Sequence, residues 1–343
     1  MVGRPLWERK VPGSSPGAPI FRVFMNSAAP KLPYLTFVHR PQRGYLFQGD
    51  GDVHTVVSPV FETSVEFSSL ILSANYHTLT NGWLLSEVQI LQNGVWSKFF
   101  KLALYSPKIN HSFDEQEDEA AVLAVDVLRA KKPAQAYRFR LSLHGDMDVP
   151  RVFVSLTDAS AVYDECAAIL PSGKRKIAVK PISQMRLEVS LADRVRLCSP
   201  VSLTMALNAL GQKNDPLQTA SAVYDDRARI YGNWTFNTAY ASRCGYEAFV
   251  TRFRRLSQLE EFLTPNSLIL ASVSYKHGEL TGAAVAQTPG HLMLLCGWEN
   301  GKIRVADPAA ENIREVIRFY PAEEFARAWL QHKRGAAYLV RKI

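Results

Sequence analysis

At 343 residues, the chain exceeds the usual size of a single domain, so we expect two domains. Hydrophobic residues make up 47% and charged residues 21%, which is typical of a globular protein. The sequence has no run of about 18 apolar residues, so we expect no membrane span. The first 25 residues contain no apolar segment of the kind a signal peptide needs, which makes a cytoplasmic location the default expectation.

The formal net charge of +8 is concentrated near the N-terminus, because residues 1–50 contain seven Lys or Arg residues and two Asp or Glu residues. No basic stripe with interleaved aromatic residues follows, so we expect no nucleic-acid partner. The four cysteines are far apart and lack CxxC spacing, which favours neither a zinc site nor a disulfide framework. We therefore expect no metal and no cofactor. The cysteines are Cys166, Cys198, Cys244 and Cys296.

The first half of the chain has the pattern of a leader followed by a β domain. Residues 1–45 are rich in Pro, Gly and Ser, and we predict an irregular leader there. In residues 46–165 the pattern changes to short strands, with apolar and polar residues alternating at 136–144. The Asn93-Gly94 turn between two apolar segments predicts a hairpin. Strands at this spacing predict an antiparallel β-sandwich as the first domain.

A linker at 166–180, basic over its second half, leads into a second domain at 181–343. Apolar residues at helical spacing predict a helix that begins directly after Cys198 and stops at Gly211. Apolar or alternating segments that follow predict strands at 267–275, 291–298, 302–306 and 336–341. Helices first, and then strands separated by turns, predict an α+β domain.

Cys198 is a candidate nucleophile because of its position at a predicted helix start. Ser199 is a good N-cap and Pro200 suits the first helical position. The positive end of the helix dipole favours the thiolate, which is the nucleophilic form of cysteine. Buried free cysteines without any chemical role are also common, and activation requires an adjacent base.

His291 is the candidate base, since it begins an apolar strand after the Pro289-Gly290 turn and so lies at a sheet end. A hairpin through Asn300-Gly301 would bring Asp307, at the end of the next strand, close to His291. Asp307 could then hold the imidazole tautomer while His291 exchanges a proton with Cys198. A strand-end histidine is also often structural, and an aspartate before proline is often a turn residue.

Gln184 precedes the cysteine by fourteen residues, and its amide could form an oxyanion hole with backbone N–H groups at the helix start. The ordered set Gln184, Cys198, His291 and Asp307, with its neighbours, resembles the papain-superfamily cysteine peptidases. It is more closely similar to the bacteriocin-processing peptidase-like group, cysteine peptidase family thirty-nine. The resembling stretches extend over nearly half of the chain and comprise 183–185, 198–205, 232–240, 278–282, 290–292 and 306–309.

The resemblance implies a papain-like second domain with Cys198 as the nucleophile and His291 as the general base and then acid. It also implies that Asp307 orients the histidine and that Gln184 is the oxyanion donor. The β-rich first domain looks like the sandwich that accompanies such domains in some bacterial members. A further set of residues could line the cleft or, alternatively, pack within a loop: Asn233, Trp234 and Asn237.

Two positions depart from many relatives, because Ser199 stands where they have glycine and Leu197 where they have an aromatic residue. These differences affect the expected shape of the nearby subsite. The leader-processing members are fused to ABC transporters, whereas this sequence has neither transmembrane helices nor a Walker A motif. Cleavage of a double-glycine leader therefore does not follow from the resemblance.

Three functions remain open from the sequence. The leading hypothesis is cysteine-dependent hydrolysis of a peptide or amide bond through a thioester acyl-enzyme, with a peptide or protein as substrate. Acyl transfer or deamidation by the same residues is an alternative, because attack and acylation are common to both reactions. The third is an inactive binding protein in which the sandwich holds a glycan or a protein.

Overall fold

The computed structural model describes residues 20–22, 32–41, 45–77, 81–145, 147 and 149–343. Most of the predicted irregular leader therefore lies outside the described residues. The described part of the leader contains two strands, and the prediction is wrong there. Strand β1 pairs in parallel with Val60, Phe61 and Glu62, and strand β2 pairs with 152–155. An open sheet edge leaves backbone N–H and C=O groups unpaired, and these two segments satisfy such groups. The two strands are β1 (Ile20–Arg22) and β2 (Thr36–His39).

The first domain consists of strands in one continuous sheet. The main path through the sheet is β2-β12-β5-β11-β6-β8-β9, and every neighbouring pair on this path is antiparallel. The further strands are β3 (Leu46–Asp50), β4 (Val53–Val57), β5 (Val60–Asn75), β6 (Trp83–Gln92), β7 (Val95–Trp96), β8 (Phe100–Tyr105), β9 (Asn110–Ser112), β10 (Ala121–Ala124), β11 (Val127–His144) and β12 (Arg151–Asp158).

The long strand β11 joins the two layers of the predicted antiparallel β-sandwich. Its first part pairs with β5, and its last residues, 140–144, pair with β4 on one side and β6 on the other. Alternate side chains of β5 and β12, such as Leu70 and Val154, enter the sandwich core together with Leu141 of β11. The Asn93-Gly94 hairpin forms as predicted, with positive φ at both residues.

The second domain combines helices with an antiparallel sheet of order β14-β19-β15-β16-β17-β18, which confirms the predicted α+β class; four of the helices precede this sheet and two lie between its strands. The segment expected to be a linker contributes the short strand β13, which pairs with β16. The helices are α1 (Leu191–Arg194), α2 (Cys198–Ala209), α3 (Pro216–Val223), α4 (Trp234–Arg243), α5 (Leu259–Phe262) and α6 (Ala322–Ala326). The strands are β13 (Arg175–Lys176), β14 (Tyr246–Arg252), β15 (Ser267–Tyr275), β16 (Thr288–Glu299), β17 (Lys302–Ala306), β18 (Ile317–Pro321) and β19 (Ala336–Lys342).

The outer face of the sandwich packs against the edge strand β14 of the second domain. Phe153 of β12 stacks on Phe249 with ring centroids 4.2 Å apart, and Ile71 of β5 belongs to the same hydrophobic core. The side chain of Asn75 forms two hydrogen bonds with the backbone of Ala248. Burying an aromatic or aliphatic side chain of this size stabilises the structure by about 1.5–3 kcal/mol. The two domains therefore share a packed interface.

Among the helices in the described part of the chain, none has the length and apolarity needed to cross a bilayer.

Candidate active site

Cys198 is the first residue of the twelve-residue helix α2. The first backbone N–H groups of a helix have no partner within the helix, and they carry the positive end of its dipole. The thiol interacts with the His291 ring and with the backbone N–H groups of Leu292 and Ser199. The structure therefore has Cys198 at a helix start, as predicted.

Ser199 does not cap this helix, which corrects the expectation from the sequence. Leu197 occupies the N-cap position and makes no side-chain capping bond. Ser199 lies inside the first turn and is fully buried, with its Oγ 2.9 Å from Oη of Tyr338 on strand β19. The hydroxyl therefore joins the helix start to the sheet. A glycine at this position would have no such partner.

The predicted hairpin brings His291 and Asp307 together. Strands β16 and β17 pair in antiparallel register from Glu299↔Lys302 to Leu294↔Ala306. The turn residues Asn300 and Gly301 both have positive φ, at 50° and 72°. Asp307 directly follows β17, and its Oδ1 lies 2.7 Å from Nε2 of His291. With Nε2 bonded to the carboxylate, the other ring nitrogen of His291 is left for Cys198.

Asp307 is held by three donors and is fully buried. Its Oδ1 accepts hydrogen bonds from His291 and from the Ala309 backbone N–H at 3.0 Å. Its Oδ2 accepts a hydrogen bond of 2.8 Å from the Tyr320 hydroxyl on strand β18. Hydrogen bonds to the ionised form lower the pKa of a carboxyl group. The three hydrogen bonds thus favour the ionised form of Asp307 and hold its carboxylate in one orientation.

Electrostatics favour a thiolate–imidazolium pair at this site. Burial on its own raises the pKa of Cys198, but the His291 ring and the two backbone N–H groups outweigh it, and the thiol pKa falls below its usual value. Burial lowers the pKa of His291, but Asp307 and Cys198 outweigh it, and the imidazole pKa is raised. Burial also opposes ionisation of Asp307, yet His291, Tyr320 and Ala309 keep its pKa low.

Gln184 forms hydrogen bonds with the segment that follows Asp307 and with the segment that precedes Cys198. Its backbone N–H donates to the Pro308 carbonyl at 2.8 Å, directly after Asp307. Its side-chain Nε2 donates to the Arg194 carbonyl at 2.8 Å, four residues before Cys198. An amide nitrogen has two protons, so one donor of Nε2 remains after this bond. Gln184 is 3% exposed.

The three residues suggested for the cleft have different environments. Asn233 is the N-cap of α4, where its Oδ1 accepts from the backbone N–H groups of Thr235 and Phe236. Asn237 is fully buried, and its Nδ2 donates to the Tyr231 and Asn233 carbonyls. These hydrogen bonds hold the start of α4, as the alternative of a packed loop implies, and a role of the two amides in the cleft stays a prediction. Trp234 is half-buried and packs against the core.

Two further residues near the candidate site, Tyr320 and Asp126, have no local signal in the sequence. Tyr320 is an aromatic residue in an ordinary alternating strand, so nothing local marks its bond to Asp307. Asp126 lies in the turn between β10 and β11 of the first domain, and its Oδ2 accepts the Trp234 backbone N–H at 2.5 Å. Burial raises the pKa of Asp126 to about 6, with Asp225 adding to the effect. In the described residues, no three His, Cys, Asp or Glu side chains are grouped to hold a metal ion.

A cysteine at a helix start that faces a His–Asp hairpin across an α+β domain is the arrangement of papain-like cysteine peptidases. Residues 176–337 match the family model described as the Peptidase_C39 like family, and residues 48–161 match the one described as the Peptidase C39 N-terminal domain. The second domain is therefore similar to the C39-like peptidases, and the first domain is similar to the N-terminal domain that this family model describes. The comparison with curated proteins found no match.

Three solved structures are similar to about half of this chain. A double glycine motif protease from an AMS/PCAT transporter, in complex with its leader peptide, is 18% identical over 51% of this chain and 97% of that chain, with a TM-score of 0.35. The peptidase domain of Streptococcus ComA, a bifunctional ABC transporter, is 13% identical over 49% and 99%, with a TM-score of 0.34. A protein described as a C39-like peptidase from Bacillus anthracis is 18% identical over 50% and 99%, with a TM-score of 0.37.

Proposed function

We propose that the protein is a cysteine peptidase that hydrolyses a peptide bond through a thioester acyl-enzyme. The observation that carries the proposal is the buried hydrogen-bonded chain from Tyr320 through Asp307 to His291, which ends at Cys198. The match of residues 176–337 to a peptidase family model supports the same reaction. A peptide or protein is accordingly the proposed substrate.

In the first step, the Cys198 thiolate attacks the carbonyl carbon and the carbonyl electron pair moves onto oxygen. That oxyanion is stabilised by the free N–H of the Gln184 amide and by backbone N–H groups at the start of α2. The C–N bond then breaks, and the His291 imidazolium gives its proton to the departing amine. A thioester with Cys198 remains.

In the second step, neutral His291 takes a proton from water, which attacks the thioester carbonyl. The C–S bond breaks and the thiolate leaves as the imidazolium is restored. Asp307 stabilises the protonated histidine throughout and fixes which ring nitrogen faces the cysteine. If an amine replaces water in this step, the same residues perform acyl transfer.

The test is labelling of the full chain with a peptide-like thiol-reactive probe. Wild type should be labelled at Cys198, Cys198→Ala should not be labelled there, and His291→Ala should react more slowly because its cysteine lacks the base. Cys166→Ala is the matched control, because Cys166 is an exposed free cysteine and should leave labelling of Cys198 unchanged. Reaction concentrated on Cys166 or Cys244 would contradict the assignment.

A peptide library incubated with and without an amine acceptor separates hydrolysis from transfer. Hydrolysis predicts free carboxyl products in both incubations, whereas transfer predicts amide products only when the acceptor is present. Loss of both products in Cys198→Ala is required in either case. An unlabelled Cys198 in a folded protein would favour the inactive binding protein, for which a glycan or protein ligand of the sandwich stays a prediction. A glycan array probed with the full chain tests that ligand.

A further inference from the structure

Four cationic side chains gather where the sandwich meets the second domain. Arg252 ends strand β14, and its Nη1 donates to the backbone carbonyls of Lys333 and Arg334 at 3.2 and 3.3 Å. Arg129 of strand β11 adds a fourth positive charge that acts on both Arg252 and Lys333. Together, Arg129, Arg252, Lys333 and Arg334 form the cationic cluster.

The cationic cluster lies at the end of the sheet that carries His291. Arg252 pairs with Ala336 at the start of β19, and the same end of the neighbouring strands contains the pair Val273↔His291. Lys333 comes closest to the candidate site. A Cβ atom placed on Gly290, the residue before His291, would lie 3.5 Å from Nζ of Lys333. The lysine ammonium group is therefore next to the strand segment that presents the histidine.

No carboxylate is paired with the cationic cluster. Within the described residues, no ion pair joins Arg129, Arg252, Lys333 or Arg334 to an acidic side chain. Asp158 lines the same cavity as Arg252 and Arg334, but its ion pair is with Arg254. The Nε atom of Arg252 is buried without a hydrogen-bond partner. Burial lowers the pKa of Lys333, and Arg129 adds to the effect. An anion bound here would supply the missing partner for these charges.

We propose that the cationic cluster recognises an acidic side chain of the peptide substrate close to the scissile bond, which rests on the proposed peptidase function. An occupant held by Lys333 lies beside Gly290 and His291, as a residue near the cleaved bond must. A carboxylate can bind between a lysine ammonium group and an arginine guanidinium group. Because Arg129 belongs to the sandwich, the first domain takes part in substrate selection.

The experiment uses the full chain and a peptide library in which the residues around each cleavage point are identified by mass spectrometry. Wild type should prefer Asp or Glu over Asn or Gln within three residues of the cleaved bond by about fivefold or more, the size of a partly screened ion pair. The charge reversals Lys333→Glu and Arg129→Glu should each abolish this preference or turn it toward Lys and Arg. Raising the salt concentration to about 0.5 M should weaken it.

Lys342→Glu is the matched control, because Lys342 is exposed at the opposite end of the same strand β19. It should keep the wild-type preference. Lys333→Met, together with a thermal unfolding curve for each variant, separates loss of charge recognition from loss of folding. In a separate incubation of wild type, inorganic phosphate is added to compete with the peptide substrate for the cationic cluster.

The outcomes separate this inference from the proposed function. Cleavage without an acidic preference, or a preference unchanged in Lys333→Glu, overturns the inference and leaves the peptidase intact. Inhibition by phosphate without any acidic preference assigns the cationic cluster to a free anion and also overturns it. Absence of all cleavage, together with an unreactive Cys198, overturns the proposed function and this inference with it.

Discussion

Replacing Asp307 by asparagine tests how the buried carboxylate sets the reactivity of Cys198. The amide has nearly the same shape and still accepts the hydrogen bond from His291, but it removes the negative charge. In the wild type that charge stabilises the imidazolium, and the imidazolium stabilises the thiolate. The substitution should therefore lower the pKa of His291 and raise the pKa of Cys198.

The magnitude follows from the distance. Nε2 and Oδ1 are 2.7 Å apart, so the centres of charge lie roughly 4 Å apart, where the attraction is about 4 kcal/mol at an effective dielectric constant near 20. That free energy corresponds to about three pKa units. Because asparagine retains the hydrogen bond, we expect a shift of at least about one unit, and about a ten- to hundredfold loss of peptidase activity at pH 7.

The assay is the rate of alkylation of Cys198 by iodoacetamide across pH, read by mass spectrometry of the peptide that contains this cysteine. In Asp307→Asn, the onset of alkylation should move to higher pH by about one unit or more. The exposed Asp164→Asn is the control for loss of an acidic charge, and it should leave the onset in place. An onset that stays at the wild-type pH in Asp307→Asn would refute the role given to the carboxylate.

Two further substitutions test the surroundings of the site. Tyr320→Phe removes a hydrogen bond to a buried carboxylate and should reduce the free energy of unfolding by about 1.5–3 kcal/mol in urea titrations. The control is Tyr246→Phe, whose hydroxyl donates to a neutral carbonyl and whose loss should cost about 1 kcal/mol. Equal losses in the two variants would contradict the role given to the Tyr320 hydroxyl. Asp126 has a pKa raised to about 6, so its ionisation should make wild type less stable as pH rises from about 4 to 6, by up to about 3 kcal/mol. Asp126→Asn should lack that decrease, and a wild type that gains stability relative to the variant over this range would contradict the reasoning.

The sequence determined those features of the site that depend on neighbouring residues. The Asn300-Gly301 turn and the apolar strands on either side specified a hairpin, and the hairpin register then placed Asp307 beside His291. The apolar pattern after Cys198 specified a helix that begins directly after the cysteine, one residue later than the start of α2. In each case the residues that interact are within about twenty positions of one another, so local periodicity and turn chemistry are sufficient.

The tertiary structure decided which distant side chains surround these elements. Ser199 is a residue type that often caps helices, but α2 packs against β19, and the Ser199 hydroxyl forms a hydrogen bond with Tyr338 instead. Tyr320 reaches Asp307 because β18 lies beside β17, and the charge of Arg129 acts on Lys333 because the sandwich packs on the edge of the second sheet. The sequence patterns of these residues are those of ordinary strands and turns. Contacts between residues tens to hundreds of positions apart depend on how the layers pack, and only the folded chain brings those side chains together.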